Sequence, residues 1–316
     1  MRVLITGAAG FIGSHVSHLL LSQGHEVTGL DSFNEELYPR DPKESNLQRI
    51  GESNNFTFVE KNIVTSNISD EVHWADVIIH EAAMPGLVKS WDVFDQYSLA
   101  NLTGTQRILE AIRDSPKTHL VHASTSSVYG RFAVGDETLP TNPVSPYGVT
   151  KLSAEQLITA YRENYGVKAT VLRYFSVYGP YQRPDMAYAK FCKLLLEGKS
   201  IQVTGDGTQS RSNTYVKDVA AATGLASEAR IDGLVANICG AQNLSLNGAI
   251  SIIANELDCE PKIQYVEAAA GDQVNTHGDA SLAAKSLGWK PRTEIEMGLR
   301  LQTRAAKMAF DRGLPS

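Results

Sequence analysis

A chain of 316 residues with 42% apolar and 20% charged residues has an ordinary globular composition and can bury a sizeable core. Its 29 basic and 35 acidic residues give a net charge of -6, which argues against nucleic-acid and anionic-membrane partners, since both draw a basic face. Cys192, Cys239 and Cys259 form no CxxC pair, the eight histidines have no metal-ligand spacing, the N-terminal MRVLITGAAG does not read as a signal peptide, and no apolar run approaches a membrane span. No metal is expected, and reduced thiols point to the cytoplasm.

Strands are predicted over 3–6, 26–30, 56–60, 77–80, 119–123 and 167–172, and helices over 11–23, 92–113 and 147–165. Near-continuous apolar strands between helices predict a parallel sheet covered on both faces. Right-handed crossovers make it a doubly wound, Rossmann-type α/β fold. After residue 175, Pro180, Pro184, Gly205 and Gly207 break the pattern, and SLGWKPRTEIEMGL reads as turn, strand and final helix. The expected division is a cofactor domain of 1–175 plus 212–239. A smaller α/β substrate-binding domain on the C-terminal side takes 176–211 plus 240–316.

Gly7-Ala8-Ala9-Gly10-Phe11-Ile12-Gly13 joins the first strand to the first helix. Glycines there allow a tight turn and close approach to a pyrophosphate, which the helix N-terminus stabilises. Asp31 ends the second strand, 18 residues beyond Gly13. It would accept hydrogen bonds from a ribose 2′-hydroxyl and repel a 2′-phosphate, so NAD is favoured over NADP. Further on, Tyr147 and Lys151 have the i, i+4 spacing that puts both on one helix face. An ammonium beside a phenol favours the phenolate, giving a base near neutral pH. The run STSSVYG, from Ser124, ends the fifth strand in hydroxyls.

These motifs resemble the extended short-chain dehydrogenase/reductases of the nucleotide-sugar epimerase/dehydratase family. TGAAGFIGSH, His80-Glu81-Ala82-Ala83, Asn101-Leu-Thr-Gly104-Thr105, SPYGVTK, LRYFSVYGP, RPDMA, VTGDG and TYVKDVA carry the likeness over nearly the whole chain. The resemblance implies tightly held NAD and a UDP-sugar, with Tyr147 as base, Lys151 as its electrostatic partner and Thr125 at the sugar 4-oxygen. It implies NAD contacts from Gly7, Gly10, Phe11, Ile12, Gly13, Asp31, Asn34, Asn62, Ile63, Ala82, Ala83, Asn101, Tyr147, Lys151, Tyr174 and Ser176. Substrate contacts fall to Ser126, Ser127, Ser176, Arg183, Val203, Arg211 and Asp272, the arginines being candidates for the diphosphate. It also implies a homodimer built on the helices over 92–113 and 147–165.

Dehydratases of the family carry an Asp-Glu pair where this chain has Ser126 and Ser127, so elimination lacks its acid and 4-epimerisation remains. RYFSVYGP followed by RPDMA is most similar to the UDP-glucuronate 4-epimerases. Thr125, Ser126, Ser127 and Ser176 could converge as neutral donors on a C6 carboxylate, or could instead be turn and strand-end caps. The alternatives are a UDP-glucose or UDP-N-acetylglucosamine 4-epimerase, then a UDP-glucuronate decarboxylase or a non-catalytic NAD-binding protein. Departures from the family pattern fall on the sugar side: Val88 replaces an arginine, Ser212-Asn213 follow Arg211, and Ala269-Ala270 precede Gly271-Asp272.

Overall fold

The computed structural model describes residues 1–115, 117–267 and 275–314. Seven strands form the main sheet in the order Val235–Ile238, Lys168–Tyr174, His119–Thr125, Val77–His80, Arg2–Thr6, Glu26–Asp31, Phe56–Glu60. Every neighbouring pair is parallel. The chain reverses its direction of travel across the sheet between Arg2–Thr6 and Val77–His80. A doubly wound sheet binds its ligand at such a point, beyond the carboxyl ends of the strands.

Alternation along the strands builds the two covered faces. Val3 and Ile5 pack on one side with Val16, Leu20, Val219 and Ala226, and Leu4 packs on the other with Ile78, Leu120, Ile108 and Ile158. All of these lie at or near zero exposure. Each such aliphatic side chain contributes about 1.5–3 kcal/mol by leaving water.

The second strand ends at Asp31 as expected, and two strands run further than the sequence reading placed them, the fifth to Thr125 and the sixth to Tyr174. Register pairs Thr125 with Tyr174 and Thr6 with His80, so the polar strand ends lie side by side. The expected helix over 92–113 is helical from Phe94, with a π-helical insert at Ser98–Thr103 before Gly104–Arg113.

A third core joins Tyr178, Phe191, Leu195, Ile201, Val203, Ile250, Ile253 and Leu299. Beside it, a four-stranded sheet runs Asn243–Ser245, Ser210–Ser212, Asn275–Gly278, Phe132–Gly135. The helix Ser281–Leu287 returns to the main sheet, where Ala283, Leu287 and Trp289 join the first core. The strand expected in SLGWKPRTEIEMGL does not form. Its backbone donors are taken instead by Asp218, whose Oδ2 accepts from Arg292 N at 3.2 Å and Thr293 N at 2.9 Å.

Candidate active site

A cavity of about 920 Å³ opens at the carboxyl ends of the main strands. It is lined by Gly7, Gly10, Phe11, Ile12, Gly13, Asp31, Asn34, Asn62, Ile63, Ala82 and Ala83, and further along by Thr125, Ser126, Ser127, Tyr147, Lys151, Tyr174, Ser176, Arg183 and Arg211. Residues scattered over about two hundred positions of sequence therefore line one cavity.

Two expected residues stand behind that wall. Val203 is wholly buried in the third core, because its strand, Ile201–Thr204, alternates. Its neighbours Gln202 and Thr204 face the cavity instead. Asn101 holds other residues in place. Its Oδ1 accepts from Met84 N at 2.7 Å, and its Nδ2 donates to Met84 O and Thr150 Oγ1, both at 3.0 Å. Asp272 lies outside the described residues.

At the glycine turn the backbone leaves no room for side chains. A Cβ on Gly13 would stand 2.2 Å from Gly7 O, and one on Gly7, which has φ +74°, would stand 2.7 Å from Ala82 N. The helix Phe11–Ser22 begins without a side-chain cap and without an acid in its first turn. Its free N–H groups and positive dipole end face the cavity, a fit for a pyrophosphate. Asp31 accepts from Ala9 N at 3.1 Å and Phe33 N at 2.9 Å, which fixes the carboxylate beside the turn. Burial nevertheless raises its pKa. Donors, dipole and acid match the adenosine diphosphate half of NAD.

The helix carrying Tyr147 and Lys151 runs Pro146–Tyr165. Ser145 caps it, accepting from Gly148 N at 3.1 Å, Pro146 takes the first position, and Gly166 closes it at φ +69°. A buried chain ties this helix to the glycine turn. Ala82 N donates to Thr6 Oγ1, which lies 2.7 Å from His80 Nδ1. His80 Nε2 lies 3.1 Å from Thr105 Oγ1, which donates to Asn101 O. Asn101 reaches Thr150, which donates to Tyr147 O at 2.8 Å. Because Thr105 donates onward, His80 carries its proton on Nε2 and Thr6 donates to Nδ1. The ring is neutral, its pKa lowered to about 3 by burial and by the Lys151 charge.

The electrostatics differ from the sequence expectation. Burial raises the Tyr147 pKa, opposed by a hydrogen bond with Thr125 and by the Arg183 charge, with Glu81 adding to the rise. The Lys151 Nζ lies 3.3 Å from His122 Nε2. Burial lowers Lys151 to about 8, and the nearby charges of Glu81 and Glu155 raise it. Arg183, whose charge opposes the rise, is itself paired with Asp185 at 3.0 and 2.8 Å. That coupling places Arg183 at the catalytic end. Thr125 accepts from Ser127 N at 3.1 Å and donates to Ser127 Oγ at 3.2 Å, so hydroxyls cluster around the phenol.

Sequence reasoning missed Glu81, His122, Lys43 and Tyr38. Glu81 stood inside the quoted HEAA run, and an acid between an apolar strand and two alanines was the available signal. Tyr38 lies in an irregular stretch and Lys43 in the first turn of the helix Asp41–Ile50, yet both line the cavity, the ammonium 4.2 Å from the ring centre.

Comparison with known proteins agrees with this geometry. The model of the NAD dependent epimerase/dehydratase family matches residues 3–239. A Bacillus subtilis (strain 168) protein named Uncharacterized UDP-glucose epimerase YtcB is 39% identical over 303 residues, 95% of this chain and 96% of that one. The UDP-glucuronate 4-epimerase of Thermodesulfobacterium geofontis (strain OPF15) is 38% identical, covering 94% of this chain and 93% of its own. The crystal structure of a Bacillus cereus UDP-glucuronic acid 4-epimerase, in complex with UDP-glucuronic acid and NAD, superposes with a TM-score of 0.94 at 37% identity, over 98% of this chain and 99% of that one. The chain belongs to the NAD-dependent epimerase/dehydratase family, and NAD is its cofactor.

Proposed function

We propose that this protein interconverts UDP-glucuronate and UDP-galacturonate by inverting C4. The observation that carries the reading is that the hydroxyl set Thr125, Ser126, Ser127 and Ser176 lines the same cavity as Tyr147. Bound NAD supplies the hydride acceptor and, later, the donor. The chain's own work is proton traffic. Tyr147 Oη takes the 4-hydroxyl proton as the C4 hydrogen leaves with its electron pair, and Thr125 holds the same oxygen. The 4-keto sugar turns, its other face receives the hydride, and Tyr147 returns the proton.

The intermediate is a β-keto acid, which loses CO2 when its C5–C6 bond aligns with the carbonyl π system. Small rotatable hydroxyls can hold the carboxylate out of that alignment in both sugar poses. NAD would lie on 1–175 with 212–239 and the sugar nucleotide on 176–211 with 240–316, the helix Ser281–Leu287 tying the two together. Exposed Phe94, Leu99 and Val149 lie on the segments assigned to a homodimer contact, and light scattering at micromolar concentration checks for the doubled mass. Three free cysteines suit a cytoplasmic setting.

The test offers UDP-glucuronate, UDP-glucose and UDP-N-acetylglucosamine separately and follows product by NMR. The reading expects the glucuronate to turn over fastest. Turnover of the neutral sugars alone would replace it with a hexose epimerase.

A further inference from the structure

Two walls of the cavity meet outside it, through side chains that do not line it. One wall is the glycine turn. Asn46, on the helix Asp41–Ile50, donates from Nδ2 to Ala9 O at 2.9 Å, and Arg49 Nη1 donates to Asn46 Oδ1 at 2.9 Å. The other wall is the turn after Val177–Tyr178, in which Gln182 and Arg183 face the cavity. Tyr181 points away from the cavity and across to the first wall. The Arg49 guanidinium carbon lies 3.2 Å from its ring centre. The ring also lies 6.2 Å from that of His15, which meets Phe11 edge-on at 5.6 Å, and Phe11 lines the cavity.

The turn is built to hold the ring there. Tyr181 has φ +66°, a conformation that costs a residue with a Cβ and persists only where its surroundings impose it. Arg230 and Asp258 adopt it as helix ends, but Tyr181 closes no helix. On the substrate side the turn is pinned by Gln302, on the helix Ile295–Asp311. Its Oε1 accepts from Gly179 N at 2.8 Å, and its Nε2 donates to Gln182 Oε1 at 2.8 Å. Gln182 Nε2 in turn donates to Val177 O at 3.0 Å. On the cofactor side its contacts are those of Tyr181 with Arg49 and His15, and a longer one of Arg183 with the Tyr38 ring at 6.0 Å. No carboxylate among the described residues pairs with Arg49, so the ring face answers its charge.

We propose that Arg49 and Tyr181 are a positioning pair, a latch that holds the turn carrying Gln182 and Arg183 against the glycine turn and so keeps NAD in the cavity between removal and return of the hydride. Opening the cavity at this end parts the ring from the guanidinium. Neither residue touches the reacting atoms. The proposal rests on NAD lying at the glycine turn and not on which UDP-sugar is turned over.

The test loads the full chain with 14C-labelled NAD, chases it with excess unlabelled NAD and follows the label retained on the protein. No sugar is present. Tyr181→Leu should release the label about tenfold faster than wild type, as loss of a partly desolvated cation–π contact predicts. Tyr181→Phe keeps the ring and should release it at the wild-type rate. A Tyr181→Leu protein that holds its label as long as wild type overturns the proposal. So does a Tyr181→Phe protein that loses it as fast as Tyr181→Leu, since the hydroxyl and not the ring would then be the contact. If Tyr181→Leu does not fold, hydrogen exchange of the wild type decides. The Gly179, Gln182 and Met186 amides are bonded within or onto this turn, and loading NAD should slow their exchange. Exchange at all three that ignores NAD overturns the latch. A protein that passes these tests but turns over no UDP-sugar sinks the epimerase reading and leaves the latch standing.

Discussion

Removing the Tyr147 oxygen changes one atom of the cavity wall and none of the glycine turn. Tyr147→Phe should lose about 10²–10⁴ in turnover while keeping its NAD, since only the proton acceptor is gone. Steady-state rates and the NAD released on denaturation separate the two effects. Ser176→Ala removes one donor to the carboxylate, a charge-assisted bond contributing about 1.5–3 kcal/mol. Turnover of UDP-glucuronate should fall by roughly 10–100-fold and release more UDP-pentose, with little change for a neutral UDP-hexose. NMR of both product mixtures checks this, and equal damage to both substrates would make Ser176 a structural cap. At this scale the sequence was readable where a residue type carries its own chemistry, as Gly13, Asp31 and Tyr147 do. It was unreadable where packing decides. Val203 looked like part of a binding run, yet strand alternation buried it and turned Gln202 and Thr204 outward. The contact of Lys151 Nζ with His122 had no signal in the sequence, because it depends on how two elements pack.

Strands and helices followed their hydrophobic periods closely because both faces of the main sheet are buried, which leaves little freedom of register. Departures came where polar side chains compete for backbone donors. Asp218 took the N–H groups of Arg292 and Thr293 and so prevented the strand expected there. The π-helical insert at Ser98–Thr103 has no signature in hydropathy; the structure explains it by bringing Asn101 onto Met84 and Thr150. The glycine turn is the element most sensitive to change. A Cβ at Gly13 would stand 2.2 Å from the Gly7 carbonyl, and both groups are backbone that cannot yield cheaply. Gly13→Ala should purify with little or no NAD, measured by absorbance of the denatured extract. A normal NAD content would show that the turn is not the pyrophosphate cradle.

Across the whole molecule, three buried histidines and the half-buried His15 set an acid limit on stability. His80 is lowered to about 3, His15 and His119 to about 4, and His122 well below the usual value, in each case chiefly by burial. In the unfolded chain these rings bind protons below about pH 6.5. The native state does not, so the unfolded state gains protons first and stability falls with pH from about 6.5 downward. Asp31 and Glu81, raised by burial, act in the opposite sense, but are two groups against four. Thermal melts should therefore show Tm decreasing between about pH 6.5 and pH 4; a flat profile would mean that these rings are solvated. The fold and its switch-point cavity were legible from strand spacing and the glycine turn. The enclosure of the catalytic end was not, because it depends on segments 32–43 and 176–190, which carry no period of their own. The account's central claim is inversion at C4 by removal and return of one hydrogen. UDP-glucuronate deuterated at C4, incubated with the protein and followed by NMR, tests it most directly. The account predicts UDP-galacturonate that retains deuterium at C4; product with the label washed into solvent, or no galacto product at all, would contradict it.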